Sequence, residues 1–457
     1  MKTYKTIYDK IYSSASNDGL ETIGDYAALI PELVLGHDPL IAIMVDDFEK
    51  NRFKINKSIV NKCLFTADHF APPANVERAN ILKKFLDFSF KNKITGLKIY
   101  EGICHQLMVE YSGVKPFSYI IGSDSHTCTA GALCCLAAGY GTMDILHALV
   151  TGCIYEKKFP VIKAVFKNAA HEFIDGRDIG LMLIKKIGEG GANNMALEYF
   201  DESGTLAMDD RFSIACAAVE TGAAGSIFAA DNILINYIAE RGGAPEFNKT
   251  KIKHYYRDIS FEYDKIINID LTDMTPLIAI PHDFSNIIAA GGIKKNITLD
   301  QVFIGSCASG RLLDFKRMCV LIDKLEARKR GRIYKSAKVD KNGGSGGIRG
   351  VRRNKKTRLI ITPASQTVFI KAMKAGYIEK LINFGAVITN PSCGPCGGID
   401  KGILADNETC LTTATRNFKG RMGPPTSSVY ISSAATAIYS AYTGIISDWK
   451  ELYAQID

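Results

Sequence analysis

Short runs of β-branched and other apolar residues alternate with longer, more polar stretches along most of this chain. Such alternation predicts sheets with helices packed on their faces, which is the α/β class of fold. Strands are predicted at 40–45, 118–121, 161–166, 301–304, 359–362 and 386–389. Helices are predicted at 130–138, which is rich in alanine and leucine, and at 364–375, directly after Pro363. At 457 residues the chain is about three times the length of a typical domain, so we expect two or three domains.

The formal charge of +8 is concentrated in one segment, residues 324–358. This basic segment holds 14 lysines and arginines against only Glu326 and Asp340, so the rest of the chain is slightly acidic. It also contains the glycine-rich tract 342–347, which resists regular structure and predicts a surface insertion. The charge is therefore a property of one segment and does not predict a polyanionic partner for the whole molecule.

The sequence excludes several classes of protein. Charged residues interrupt the N-terminus, so no secretory signal is visible, and the longest uncharged stretch, 422–447, contains two prolines and many hydroxyl side chains. Twelve cysteines in a long chain without a signal argue against a disulfide framework. We therefore expect a cytoplasmic protein whose cysteines fill the core or bind a metal.

Two cysteines two residues apart, Cys393 and Cys396, lie in the sequence Asn-Pro-Ser-Cys-Gly-Pro-Cys-Gly-Gly. A redox pair, a structural loop and a metal or cluster site all fit this spacing. A redox pair, however, lies at the start of a helix, and the following Gly397 and Gly398 are poor residues for a helix start. Cys307 also follows a predicted strand, where ligands collect in open α/β sheets, although alone it could be a buried core residue. Zinc would ordinarily need a fourth protein ligand, and no matching cysteine is found. The three thiols therefore favour a 4Fe-4S cluster with one iron left open.

Histidines and acids fall in turn-rich contexts at three places. Asp124, Ser125 and His126 follow a predicted strand, where they can act as acid, base and orienting groups or simply cap a helix. The other two places hold Asp68 with His69, and His105. The remaining histidines are predicted to be structural, and they are His37, His147, His171, His254 and His282.

Two arginines five residues apart, Arg416 and Arg421, lie in a segment with little other charge. An arginine guanidinium binds a carboxylate through two parallel hydrogen bonds. The pair therefore suits a di- or tricarboxylate ligand, although unrelated surface arginines would give the same pattern.

Taken together and in this order, the motifs resemble those of the aconitase superfamily. The motifs are Gly-Ile-Cys-His-Gln, Asp-Ser-His-Thr, Gly-Ser-Cys, Cys-Gly-Pro-Cys and Arg-Asn-Phe-Lys-Gly-Arg. The resemblance runs from Tyr4 to the C-terminus and is strongest to the large subunits of 3-isopropylmalate dehydratases. It implies three α/β/α domains around a central iron-sulfur cluster, at 1–165, 166–290 and 291–457, with the basic segment inserted into the third.

The resemblance also implies a role for each candidate residue. The ligands of the 4Fe-4S cluster would be Cys307, Cys393 and Cys396. The acid and base side chains would be Asp68 with His69 and Asp124 with His105, and the same cleft would be lined by His126 and Glu220. The substrate carboxylates would be held by Ser125, Arg416 and Arg421.

The chain departs from the family pattern at three points. Ala308 and Ser309 follow the first cluster cysteine where the family usually has Thr-Asn, and Thr415 stands where it has Asn. Asparagines at these places would donate hydrogen bonds that tune the cluster. The family's catalytic serine base lies on a separate swivel domain, for which the sequence after Trp449 is too short. The resemblance therefore implies a small partner subunit that carries the swivel domain.

The expected function is that of the large catalytic subunit of a hydro-lyase. Such an enzyme isomerises a 2-hydroxy dicarboxylate by dehydration and rehydration, here 3-isopropylmalate and 2-isopropylmalate in leucine biosynthesis. Homoaconitase, aconitase and dimethylmalate dehydratase subunits are alternatives in the same family, as is an inactive relative that keeps the cluster. The alternative of another class is a cluster-sensing RNA-binding protein, suggested by the basic segment. That segment lacks interleaved aromatic residues apart from Tyr334, so a nucleic acid is not expected as a partner, nor is a membrane.

Overall fold

The computed structural model describes residues 3–16, 22–242, 247–294, 296–336 and 350–453. The strands within these ranges are β1 (Tyr26–Leu29), β2 (Leu33–His37), β3 (Cys63–Ala67), β4 (Gly96–Ile99), β5 (Tyr119–Gly122), β6 (Leu136–Gly139), β7 (Ile154–Lys157), β8 (Val161–Lys167), β9 (Ala196–Asp201), β10 (Gly225–Phe228), β11 (Lys265–Asp270), β12 (Leu277–Ala279), β13 (Ile287–Ala289), β14 (Gln301–Ile304), β15 (Arg358–Ile361), β16 (Val387–Ile388), β17 (Thr409–Thr412) and β18 (Ser428–Ile431).

The α-helices of the described residues lie between these strands and at both ends of the chain. They are α1 (Ile7–Ala15), α2 (Asp38–Lys50), α3 (Val76–Lys91), α4 (Cys104–Glu110), α5 (Thr142–Thr151), α6 (Gly176–Ile187), α7 (Met208–Cys216), α8 (Asn232–Glu240), α9 (Lys249–Tyr256), α10 (Leu312–Ser336), α11 (Gln366–Lys374), α12 (Tyr377–Phe384) and α13 (Ala434–Thr443). Short 3₁₀ helices cover Val60–Lys62, Ser125–Leu133, Ala217–Thr221, Ala290–Gly292, Gly394–Gly397 and Trp449–Leu452.

The larger sheet consists of two parallel halves joined by a single antiparallel pair. Its nine strands lie in the order β11-β8-β9-β10-β6-β5-β2-β3-β4. Within each half all neighbouring strands are parallel, and the halves meet where Ser226 of β10 pairs antiparallel with Ala137 of β6. Because parallel neighbours end at the same edge, each half has one edge at which the loops after its strands collect.

A second sheet has seven strands in the order β13-β12-β18-β17-β14-β15-β16. Strand β12 pairs antiparallel with both of its neighbours, whereas the strands from β18 to β16 are parallel to one another. Strands β1 and β7 form a separate antiparallel ribbon. Most buried apolar side chains of both large sheets and their covering helices belong to one hydrophobic cluster, and a smaller cluster joins α6 to β12, β13 and β18. None of the described helices is long and apolar enough to cross a bilayer.

The predicted α/β class is confirmed, but neither predicted domain boundary fits the sheets. The boundary at 165/166 falls inside β8, which pairs with β9 and β11 along its length. The boundary at 290/291 follows β12 and β13, which already belong to the seven-stranded sheet. Since ladder hydrogen bonds hold a strand to its neighbours, each of these boundaries would separate residues that one sheet holds together. The division into three domains itself stays a prediction.

The strand predicted at 40–45 is wrong, because these residues belong to helix α2. Pro39 lies in the first turn, where its missing N–H costs no hydrogen bond. Ile41, Val45 and Phe48 are buried, and their spacing of three or four residues is that of a helix face. The apolar run was therefore one side of an amphipathic helix.

The helix predicted at 130–138 is wrong in extent. A 3₁₀ helix ends at Leu133, Cys134 adopts a left-handed conformation with φ 58°, and strand β6 follows. All side chains from 126 to 138 are buried, so the small residues serve close packing rather than a helix surface. The other predicted strands and the helix at 364–375 are confirmed by β5, β8, β14, β15, β16 and α11, with bounds shifted by at most two residues.

Lys324 and Arg358, the first and last cations of the basic segment, form ion pairs within the protein itself. Lys324, in α10, forms an ion pair with Glu172. Arg358 donates to both carboxylate oxygens of Glu408, at 2.7 and 2.6 Å. The glycine-rich tract 342–347 lies outside the described residues. Cations that are already paired bind phosphates less readily, so these contacts weaken the RNA-binding alternative.

Candidate active site

Polar side chains of the first parallel half follow three neighbouring strands. His37 ends β2 and Asp38 comes next, Asp68 and His69 follow β3, and Asp124 follows β5. Because these strands are adjacent and parallel, the five side chains meet at one edge of the sheet.

The seven-stranded sheet contributes the facing edge of the site. Cys307 follows β14, Cys393 follows β16 and Arg416 follows β17, and these strands are again parallel. The Cys393 N–H donates to the carbonyl oxygen of Asp68 at 3.1 Å. Arg416 Nε donates to Glu220 Oε1 at 3.0 Å. The carboxyl ends of strands from two sheets therefore form one site.

The three predicted cluster cysteines are buried and lie close enough to interact. A hydrogen bond between the side chains of Cys393 and Cys396 raises the pKa of Cys393 and lowers that of Cys396. The Arg421 guanidinium, with Nη2 3.7 Å from Cys396 Sγ, favours the thiolate of Cys396 further. The pKa of Cys307 is raised by a hydrogen bond with the side chain of Cys216 and by burial.

These residues fit a cluster bound through three thiols. The donors are soft sulfur atoms from two strand ends, and the Arg421 Nε beside them is buried without a hydrogen-bond partner. The Arg311 guanidinium donates to the Cys307 carbonyl oxygen at 2.7 Å and fixes the loop that carries the first thiol. Thiolates, a nearby cation and a rigid loop are the features that a buried iron-sulfur cluster needs.

Asp124 orients two histidines. Its Oδ1 lies 3.1 Å from His105 Nε2 and 3.4 Å from His126 Nδ1, and it also accepts the His126 backbone N–H at 2.8 Å. Although burial opposes it, the two imidazoles hold the pKa of Asp124 well below its usual value. His126 Nε2 lies 3.0 Å from Glu220 Oε1, so this ring is held between two carboxylates.

A second carboxylate–histidine group surrounds His69. His69 Nδ1 lies 3.1 Å from Asp68 Oδ1 and 3.8 Å from Asp38 Oδ1. Although burial opposes it, Asp68 raises the pKa of His69 to about 10, so the ring is protonated at neutral pH. Asp38 accepts backbone N–H groups of His69 and Phe70 at 3.1 and 2.8 Å and so positions the loop after β3.

Two other side chains of the site, His37 and Arg311, were not predicted as functional. The His37 ring stacks on His69 with centroids 4.0 Å apart, and its Nε2 lies 3.7 Å from Asp124 Oδ2. Burial and the neighbouring His69 lower the pKa of His37 to about 3, so it is neutral. Arg311 is buried and donates through Nε to Gln106 Oε1 at 2.9 Å. The one sequence signal for His37 was its place directly before an acid at a strand end.

The two predicted arginines differ in their partners. Arg416 Nε contacts both Glu220 oxygens, at 3.0 and 3.2 Å, and its Nη2 donates to Ser125 Oγ at 3.2 Å. Arg421 has the Cys396 sulfur as its neighbour. Arg416 is therefore fixed by a carboxylate, whereas the Arg421 charge faces the thiols.

The three positions that depart from the family pattern are occupied in different ways. Ser309 Oγ donates to Asp314 Oδ2 at 3.0 Å, so this hydroxyl points into the protein. The Ala308 carbonyl oxygen accepts from the Ser213 hydroxyl. Thr415 Oγ1 is buried without a hydrogen-bond partner. None of these side chains donates to a cluster cysteine in the described structure.

Comparison with known proteins places this geometry in a family. The model of the aconitase family (aconitate hydratase) matches residues 10–296 and 286–444. The chain is 36% identical to the 3-isopropylmalate dehydratase large subunit of a Nitratiruptor species over 452 residues, which cover 98% of this chain and 100% of that protein. The corresponding large subunit of Caldanaerobacter subterraneus subsp. tengcongensis is 35% identical over 98% of this chain and 99% of its own length. That of Aliarcobacter butzleri is 36% identical over 98% and 100%.

A solved structure shares the fold. The holo-form of Thermococcus kodakaraensis aconitase X superposes with a TM-score of 0.50 and 16% identity, covering 92% of this chain and 88% of that one. At this identity the likeness concerns the fold alone.

Proposed function

Because the chain belongs to the aconitase family, we propose that it is the large catalytic subunit of an iron-sulfur hydro-lyase. The reaction would be the dehydration and rehydration of a 2-hydroxy dicarboxylate. The proposal rests on one observation: the C-terminal ends of strands from two sheets meet in one site. One sheet contributes three thiols and the other contributes two carboxylate–histidine groups. The relatives that match the whole chain are named for 3-isopropylmalate, which we propose as the substrate, in leucine biosynthesis.

Cys307, Cys393 and Cys396 would hold a 4Fe-4S cluster with one iron not ligated by this chain. When bound, the cluster would supply a Lewis acid that polarises the carbon–oxygen bond of the substrate. The chain supports this role through Arg421, whose charge stabilises the thiolate of Cys396, and through Arg311, which fixes the Cys307 loop.

His69 would donate the proton to the departing hydroxyl. Its Nδ1 is directed at Asp68, which leaves Nε2 as the donor atom, and Asp68 keeps the ring charged. A charged imidazole near a leaving oxygen lowers the barrier by converting hydroxide into water. The neutral His37 stacked on it adds no competing charge and limits the movement of the ring.

His105 with Asp124 would form the second acid–base pair. The Asp124 carboxylate fixes the His105 ring through Nε2 at 3.1 Å, so the His105 Nδ1, which is buried without a partner, is the atom left to exchange a proton. His126, held between Asp124 and Glu220, would line the same cleft and limit access of water.

Arg421 and Ser125 would bind the substrate carboxylates, with Arg416 as a support. Arg416 is neutralised by Glu220 and donates to Ser125 Oγ, so its main effect is to position Ser125. Arg421 lacks an ion-pair partner of this kind among the described residues, and its Nε is buried and unpaired. A substrate carboxylate would give this guanidinium the partner that a buried cation requires.

The base that takes the carbon-bound proton would come from a small swivel-domain subunit. The proposal is supported by the names of the relatives, which are large subunits matched over 99–100% of their length. Such a subunit would cover the site at which the strand ends of the two sheets meet, and it would contribute to substrate selectivity.

The test is turnover by the reconstituted pair of subunits. The cluster is rebuilt anaerobically, a swivel-domain small subunit is added, and the absorbance of the unsaturated intermediate is followed with 3-isopropylmalate, homocitrate, citrate and 2,3-dimethylmalate in parallel. We expect turnover of 3-isopropylmalate only when cluster and small subunit are both present. Turnover of another acid in the panel would change the assigned substrate, and no turnover with any of them would refute the hydro-lyase.

A further inference from the structure

Cys216, at the C-terminal end of α7, has no role in the proposed reaction although its sulfur lies inside the site. We propose that Cys216, Cys307 and His126 form a second metal site, which takes one thiophilic divalent cation such as Zn²⁺ when the cluster is absent. This site goes beyond the proposed function, and only its competition with the cluster depends on that function.

The geometry of the three residues suits a single ion. One ligand atom from each of Cys216, Cys307 and His126 lies within 4.8 Å of the others, and all three residues are buried. With Zn–S bonds of about 2.3 Å, sulfur ligands of a tetrahedral site lie about 3.8 Å apart. The ligand atoms therefore need to approach by at most about 1 Å. The fourth position would be open to water, as in zinc sites with two cysteines and one histidine.

The histidine is held as a metal-binding histidine usually is. Glu220 Oε1 lies 3.0 Å from His126 Nε2, and Asp124 Oδ1 lies 3.4 Å from His126 Nδ1. Whichever ring nitrogen binds the ion, the other faces a carboxylate. Such a carboxylate fixes the ring and makes the nitrogen a better donor.

The charges of the surroundings also suit a divalent cation. Binding releases the two thiol protons and one ring proton of His126, and the two thiolates then balance the 2+ charge of the ion. Arg177 is fully buried near Cys216 and Glu220, and its Nε and Nη1 have no hydrogen-bond partners. The carboxylates of Asp124 and Glu220 offset the charges of Arg177 and Arg416. With the cation in place these charges cancel, so the occupied site carries no net charge that burial would penalise.

The site and the cluster exclude each other because both need the Cys307 thiolate. Cys393 and Cys396 do not bind the cation, and the chain could not take up the cluster until the ion is removed. Cysteine and histidine in such an arrangement also prefer Zn²⁺ to hard cations such as Mg²⁺.

The test uses Co²⁺ as a spectroscopic probe of the zinc site. The full chain is freed of cluster, kept reduced and titrated with Co²⁺ without oxygen. We expect one Co²⁺ per chain, the visible bands of a tetrahedral ion, thiolate charge-transfer absorption, and displacement by Zn²⁺. Cys216→Ala is expected to weaken binding more than about 100-fold, because losing a ligand costs more than the 10–100-fold typical of outer partners.

Two matched controls decide where the ion sits. Cys319→Ala removes a buried thiol of α10, and the double variant Cys393→Ala/Cys396→Ala removes the other cluster thiols; both are expected to keep the cobalt spectrum. Folding is checked by circular dichroism, and Cys216→Ser serves as a second variant of similar size. An unchanged spectrum in both Cys216 variants, its loss in the double variant, or no cobalt binding by the parent chain would each overturn the site.

A loaded cluster is expected to abolish the cobalt signal, and cobalt binding in the presence of the cluster would overturn the mutual exclusion. None of these readouts requires turnover, so failure here and failure of the hydro-lyase are distinguishable.

Discussion

Asp124 lies among three histidine rings and touches each through a different geometry. Two of its contacts are at Oδ1, to His105 and His126, and the third is a longer approach of His37 to Oδ2. An amide at this position would keep the shape but would lose the charge that sets the protonation of the rings. The residue is therefore a sharp test of the proposed proton transfers.

We expect Asp124→Asn to lower kcat by about 10²–10⁴-fold, the range for loss of one positioned acid–base group, with little change in KM. Steady-state kinetics of the reconstituted enzyme, together with iron content, measure this. Asp406→Asn, at an exposed acid that pairs with Thr426, is the matched control and should leave kcat unchanged. A change in KM without a change in kcat would contradict the assignment. A loss of iron in parallel with the loss of kcat would contradict it too.

Arg421 should be sensitive to replacement by lysine. Because Arg421 would bind a carboxylate directly, Arg421→Lys is expected to raise KM about 10–100-fold, the value of one charged hydrogen bond. Initial rates over a range of substrate concentrations give this number, and iron content checks the nearby Cys396. Arg358→Lys, in the exposed pair with Glu408, is the control. An unchanged KM for Arg421→Lys would refute the carboxylate role.

Much of the site could be predicted at the level of single residues. Cys307 and Cys393 each follow a predicted strand, and parallel strands bring such loops together, so the sequence alone indicated their convergence. Strand β17, which precedes Arg416, was not predicted. His37 was missed because a buried histidine at the end of an apolar strand is usually structural. Its contact with Asp124 depends on the order of β2 and β5 in the sheet, which no local pattern encodes.

At the scale of the elements, the turn that carries Asp124 packs against the second half of the sheet. An added Cβ at Gly131, in the 3₁₀ helix after this turn, would lie 1.9 Å from the carbonyl oxygen of Ser226 in β10. The backbones of the 3₁₀ helix and of β10 are therefore in direct contact here. No flexible side chain lies between them that could move aside for an added methyl group.

Gly131→Ala is expected to lower the free energy of unfolding by about 1–3 kcal/mol or more, the usual cost of overpacking. Urea unfolding followed by circular dichroism measures the change. Gly292→Ala is the control, because a Cβ there meets no atom within 4 Å. Equal stabilities of the two variants would contradict the close packing.

Helix α1 is attached to the sheet through a buried acid. Glu198, in β9, accepts the Tyr8 N–H at 2.7 Å and the Tyr263 hydroxyl at 2.9 Å. Burial raises its pKa from 4.5 to about 7. In the folded chain Glu198 therefore keeps its proton between pH 4.5 and 7, whereas in the unfolded chain it loses it.

Since the native state binds the extra proton, Glu198 makes stability fall as pH rises from about 4.5 to 7, by up to about 3 kcal/mol. Glu198→Gln should remove this slope, so that its stability relative to the parent is higher at about pH 7.5 than at about pH 5. Urea unfolding at both values tests the expectation. Glu202→Gln, at an exposed neighbour, should follow the parent, and the same slope in Glu198→Gln would exclude this acid as its source.

Elements were predictable where the pattern was unambiguous. The strand at 301–304 is reproduced residue for residue by β14, because a short apolar run between turns fits little else. The run at 40–45 was ambiguous, since six apolar or small residues suit a buried strand and a helix face equally. Only the packing of α2 against α3 and α5 decides between them.

At the scale of the whole molecule, the cluster would join loops that are far apart in the sequence. We expect the loaded chain to unfold at a higher temperature than the cluster-free chain, because a group that binds only the native state stabilises it. Cys396→Ser should lose most of this increment, whereas Cys410→Ser, in β17, should keep it. Thermal unfolding without oxygen, with and without the cluster, measures both, and equal increments would contradict the ligand assignment.

The limits of the predicted domains could not be read from the sequence. Strand β8 was recognised, yet the boundary was placed inside it, because a resemblance transfers motifs more securely than ends. That residues on both sides of this boundary form one nine-stranded sheet follows from the β6–β10 contact, whose antiparallel direction has no signature in either strand.

The site takes its residues from almost the entire chain, from His37 to Arg421. A polypeptide emerging from the ribosome can pair the strands of the first half while the last third is still unmade. The thiol-bearing loops come last, and Cys393 can reach the Asp68 carbonyl only once the chain has been made as far as this cysteine. Delivery of iron and sulfide to the proposed cluster would therefore come last, after the strands of the nine-stranded sheet have been made.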